Sequence, residues 1–111
     1  MRLYFPSEHE ESESLDAMCN SSPTRSDILR EAERTVCGHR GQDYGTPEDN
    51  FAVIARMWEA YLNVSVDAKD VAMMMCLFKI GRIMTGTATK DSFVDLAGYA
   101  ACGAEIALGG V

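Results

Sequence analysis

The chain has no long apolar run. Its densest apolar stretch, Met73 to Phe78, is far too short to cross a bilayer, which takes about 20 residues. No basic start leads into an apolar segment, so no signal peptide is expected. Positive charge is scarce. Ten Lys and Arg stand against 17 Asp and Glu, a formal net charge of −7 over 111 residues. A nucleic-acid backbone wants a basic face, so that partner class is excluded. A phosphorylated small molecule held by two or three local cations is not. The cysteines at 19, 37, 76 and 102 fit no zinc spacing, and Cys37-x-His39 is too little for a metal site. Free intracellular thiols are expected instead. No serine or cysteine has an obvious base nearby, which leaves nucleophilic catalysis without support. No segment reads as an internal strand, and no repeat is visible. These absences point to one small, soluble, cytoplasmic domain with no membrane partner.

What is present divides into an arm and a body. Residues 1–25 set Glu8, Glu10, Glu11, Glu13 and Asp16 among serines, with Pro6 and Pro23 as breakers. They read as a partly disordered acidic N-terminal arm. Leu3, Tyr4 and Phe5 are its apolar exception, either a loose end or a short strand that docks on the body or a neighbouring subunit. Residues 26–111 read as an all-α domain of four helices. The first starts at Ser26 as N-cap, turns Ile28, Leu29, Ala32 and Val36 inward, and ends at Gly38 in a left-handed C′ position. The second has Thr46 as N-cap, Pro47 at N1 and Asp49 as a capping-box acid, and stops near Asn63. The third runs from Asp67 as N-cap to about Thr85, ending at Gly86. The fourth starts near Thr89 or Asp91, reaches Leu108, and is rich in small residues. The third helix is apolar almost all round and so must be covered all round. Three short partners can hardly do that, which predicts a homo-oligomer, a dimer or a tetramer.

Charged side chains recur where packing asks for apolar ones. Lys79 and Arg82 share a face of the third helix, with Asp70 nearly opposite. Asp91, Asp95, Gly98, Cys102 and Glu105 line one stripe of the fourth. An antiparallel hairpin brings Lys79 and Arg82 near Asp91 and Asp95. Either they pair across the hairpin, or the cations are left for a ligand. Salt bridges contribute little stability, so the group is hard to explain as scaffold. Two carboxylates a turn apart can also hold a hard divalent cation. Asn50 shares a stripe with Ile54, Met57 and Tyr61. It must find partners, by bracing the preceding loop or by meeting a base or ribose. The loop His39 to Gly45 offers Arg40, Asp43 and Tyr44, which suit a phosphate and a stacked base or a tight turn. Trp58 and the methionine run read as core.

Three groups of residues carry a resemblance. They are Asp43-Tyr44-Gly45 with Asn50 and Trp58, Asp70 with Lys79 and Arg82, and Asp91-Ser92-x-x-Asp95-Leu96-Ala97-Gly98-Tyr99. From about Ser26 to Ala107 the chain resembles small phage-encoded all-helical proteins related to the MazG-like nucleotide pyrophosphohydrolases. It also looks like the nucleotide-modification-associated domain of phage genomes. The resemblance implies an oligomeric four-helix antiparallel bundle with nucleotide sites between helices, at work in the cytoplasm of an infected bacterial host. MazG-like enzymes hold magnesium with E-x-x-E on one helix and E-x-x-D on a later one. This sequence departs from that pattern, since Glu31-x-Glu33, Asp67-x-x-Asp70 and Asp91-x-x-x-Asp95 do not complete it.

The first expectation is therefore a binding protein for a phosphorylated nucleotide or nucleotide-derived signal, able to sequester a host immune signal for a phage. Its ligand-binding residues would be Arg40, Asp43, Tyr44, Asn50, Lys79, Arg82, Asp95 and Tyr99. An alternative is a magnesium-dependent nucleoside triphosphate pyrophosphohydrolase, with Asp70, Asp91 and Asp95, joined by Glu59, on the metal. The remaining alternative is a structural helical interaction module with buried ion pairs.

Overall fold

A computed structural model describes residues 22–38 and 45–109. Within them lie four helices: α1 (Arg25–Cys37), α2 (Pro47–Leu62), α3 (Ala68–Thr85) and α4 (Lys90–Gly109). No strand occurs among the described residues. The expected acidic arm falls outside them, apart from Ser22 to Arg25.

The helix starts follow from side-chain capping. Thr24, not Ser26, caps α1. Its hydroxyl accepts the Asp27 N–H at 3.2 Å, and the Asp27 carboxylate accepts the Thr24 N–H at 2.8 Å. That reciprocal box needs a hydroxyl three residues before an acid, which moves the start back from Ser26. The same backbone hydrogen bond, then the Thr24 hydroxyl, holds the Asp27 carboxyl below its ordinary pKa. Gly38 is not left-handed, with φ −93° and ψ −147°. Glycine is needed there for a different reason: a Cβ would lie 2.5 Å from the Arg34 carbonyl oxygen.

Thr46 caps α2 with Pro47 at its first position, and Asn63 ends it in the left-handed region, its N–H donated to the Glu59 carbonyl at 2.7 Å. Asp67 and Asp70 form a full capping box on α3, which ends at Gly86 as expected. On α4 the Thr89 hydroxyl accepts the Ser92 N–H at 3.2 Å.

Helices α3 and α4 form an antiparallel hairpin. Three contacts show its direction: a Cβ on Gly103 would touch Ala72, the Cys76 thiol lies 3.9 Å from the Leu96 carbonyl oxygen, and Lys79 meets Asp95. As numbers rise on α3 they fall on α4. Gly103 is required by close approach, since a Cβ there would sit 3.0 Å from that of Ala72. Helix α1 lies along α4, and α2 lies mainly on α3. The core gathers Phe51, Ile54, Ala55, Val71, Ala72, Met75, Tyr99 and Cys102. Helix α3 is indeed apolar on both sides. Val71, Ala72 and Met75 face the core, while Met73, Leu77, Phe78 and Met84 are exposed. No helix among the described residues is long and apolar enough to cross a membrane.

Candidate functional site

The site is built on α4. Asp91, Asp95, Gly98 and Cys102 recur at helical spacing and are all buried, as their stripe predicts, whereas Glu105 at its end is exposed. Asp95 is 0 % exposed. Its carboxylate meets the Lys79 ammonium of α3 at 2.9 Å, and Lys79 is buried too. The cation nearer the hairpin turn, Arg82, makes no ion pair among the described residues. Its guanidinium stands over the Phe78 ring, 5.5 Å from the centroid. Of the two cations expected near the acids, then, one is committed to Asp95 and one stays exposed at the rim.

A third buried acid lies on α1. Glu31 is buried and pairs with the exposed Arg34. In the sequence Glu31 stands out only beside Glu33, which is exposed. The available signal was its spacing from Ile28 and Thr35, which puts it on the inward face of α1. Among the described residues the buried charges are thus Glu31, Asp91 and Asp95 against the one cation Lys79. Asp91, Asp95 and Glu31 each have further interaction partners. Such a centre can bind cationic or hydrogen-bonding groups, and Arg82 at its edge can meet an anion.

Other expected site residues lie elsewhere. Asp70 is spent in the capping box of α3. It sits nine residues before Lys79, about 14 Å away along the helix axis. The hairpin therefore separates it from Asp91 and Asp95 instead of joining the three around a metal. Glu59 accepts the Val66 N–H at 3.0 Å, tying the α2–α3 loop. Among the described residues no three His, Cys, Asp or Glu are placed to hold a metal ion, so the residues present do not fit the magnesium set expected for an enzyme. Tyr99 is a core residue, its ring 6.1 Å from that of Phe51 and tilted by 32°. A base could stack on that face only by displacing Phe51. Asn50 donates its side-chain amide to the Thr46 carbonyl at 3.2 Å, bracing the start of α2. Arg40, Asp43 and Tyr44 lie outside the described residues.

The thiols suit packing. Cys37, Cys76 and Cys102 are free. Burial, then Glu105 and Glu48, pushes Cys102 up to about 12, and burial alone raises Cys76. A concave surface between α1 and α4 has no counterpart in the sequence pattern. Ile28, Leu29, Phe93 and Leu96 line this apolar groove, with Arg25 and Lys90 also on its wall.

A family model described as a domain of unknown function, DUF6378, matches residues 27–107. The Gene 55 protein of Mycobacterium phage D29 is 44% identical over 75 residues, which cover 68% of this chain and 50% of that protein. The Gene 55 protein of Mycobacterium phage L5 is 46% identical over 74 residues, 66% of this chain and 47% of that protein. The chain spans about half the length of these curated relatives. No solved structure matches. The matched region contains Glu31, Lys79, Arg82, Asp91 and Asp95.

Proposed function

This chain belongs to the DUF6378 family, and from that premise we propose that it binds a phosphorylated nucleotide, or a molecule derived from one, at the interfaces of a helical oligomer. One observation carries the reading. Among the described residues a small core buries four charged side chains, Glu31, Lys79, Asp91 and Asp95, two of them paired across the hairpin, and Arg82 stands exposed one turn beyond Lys79. Apolar residues of similar volume would hold the helices as well or better, so the charges are explained best by something they recognise. Arg82 meets phosphate oxygens, for which a guanidinium is suited. The acids take the hydroxyl and amino groups of a ribose or base. The relatives are phage gene products, which supports a role in an infected bacterium, where such a protein would sequester a nucleotide signal of host immunity. The likeness to MazG-like proteins noted in the sequence belongs to this proposal as well.

Titration with mononucleotides, cyclic dinucleotides and ADP-ribose derivatives tests it. One class gives heat and a thermal shift, and Arg82→Ala weakens that binding at least tenfold, about 1.4 kcal/mol, without lowering the melting temperature. A panel with no heat and no shift sinks it.

A second reading, hydrolysis of nucleoside triphosphates, draws on the excess of buried carboxylates. It stands behind binding because the acids do not form a metal-holding group among the described residues. Its mark is pyrophosphate release with magnesium or manganese that disappears in a folded Asp95→Asn variant.

A further inference from the structure

Helix α3 has two opposite apolar arcs. At 100° per residue, Val71, Ala72, Met75 and Lys79 gather on the buried side. Met73, Leu77, Ile80 and Met84 fall on the other, Met74 and then Phe78 extend it on one side toward Val71, and all six are exposed. Their 4-3-4 spacing is that of a helix–helix seam. Their exposed area is on the order of 600 Å² per protomer, near the ~800 Å² a side that a stable interface buries.

Gly81 lies on this outward face between Leu77 and Met74. A Cβ there would meet nothing within 4 Å. No contact among the described residues calls for glycine, although glycine weakens a helix interior relative to alanine. One turn earlier on the same arc Leu77 is 65 % exposed. A protruding side chain and an open notch, one turn apart on one face, complement their own copy under a twofold rotation. The features that recognise the partner are those the partner would present, so the occupant this face fits is a second copy.

We propose that two copies of this chain pair through the outward face of α3, crossing antiparallel so that Leu77 of each seats over Gly81 of the other. This takes the oligomer of the functional reading and names its seam. Lys79 and Asp95 then lie on the far side of α3 from the seam, so of the residues in the functional reading only Arg82, beside Phe78, is turned toward this interface, and the nucleotide site meets the seam from that side.

Sedimentation of the full chain across a range of concentrations tests it. The wild type forms a dimer. Leu77→Asp and Gly81→Leu each raise the dimer dissociation constant at least tenfold, with helical circular dichroism unchanged. A separate measurement covers the case in which a variant misfolds. Leu77→Cys and Gly81→Cys proteins are mixed and oxidised, and peptide mapping finds position 77 of one chain joined to position 81 of the other. A wild type that stays monomeric, a folded Leu77→Asp that dimerises as before, or a mixture without that cross-link overturns the proposal. Nucleotide titration of the wild type reads the binding proposal separately: a dimer that gives no heat sinks binding alone, and heat from a wild type whose Leu77→Asp variant dimerises as before sinks the seam alone.

Discussion

Lys79 and Asp95 are charged at positions where a small helical core gains nothing from charge. Removing one partner leaves the other buried and uncompensated, whereas replacing both with apolar groups of similar volume is often neutral or stabilising. Lys79→Met alone should therefore cost about 3–5 kcal/mol, and Lys79→Met with Asp95→Leu should recover much of that loss. Urea unfolding of the two variants checks this. A single-variant loss within about 0.5 kcal/mol, the range of ordinary surface changes, would show that the pair bears no weight. The meeting of α3 cations with α4 acids was legible in the sequence, because a short loop forces antiparallel pairing and helical spacing names the facing residues. Which cation pairs was not legible. Lys79 and Arg82 lie only 60° apart around the axis, and depth in the core, not sequence spacing, separates them. Glu31 was hidden for a similar reason, since its burial depends on α1 lying along α4.

The four helices and most of their ends could be read at the scale of the element. Thr46-Pro47, Asp67 with Asp70, Asn63 and Gly86 act through local chemistry, so a linear sequence records them. The start of α1 was misread because Ser26 and Thr24 are both competent caps, and only the geometry of the Thr24–Asp27 box decides between them. The difference is measurable. Thr24→Ala should lower stability by about 0.5–2 kcal/mol, while Ser26→Ala stays within about 0.5 kcal/mol of wild type. Equal losses, read from denaturant midpoints at unchanged slope, would return the cap to Ser26. Tyr99 was misassigned at the same scale. An aromatic on a stripe with acids reads equally well as a stacking platform or as core, and contact with Phe51 from α2 makes it core.

For the whole molecule, the deciding quantity is how much apolar surface one protomer leaves uncovered. Met84 is 78 % exposed, and Leu77 and Phe78 stand out beside it. A chain this short buries a modest share of its surface on folding, so an apolar face left over on α3 has a large effect on marginal stability. If that face is closed by a second copy, folding and association are coupled and mass action governs both. The melting temperature should then rise with protein concentration, and Leu77→Asp should abolish the dependence while leaving a cooperative transition. An isolated protomer has no such term: its melting temperature is the same at every dilution. Thermal scans over a hundredfold dilution series distinguish the two. A concentration-independent transition in the wild type would mean that α3 carries its outward methionines without a copy to cover them, and that the charged centre is finished within one chain.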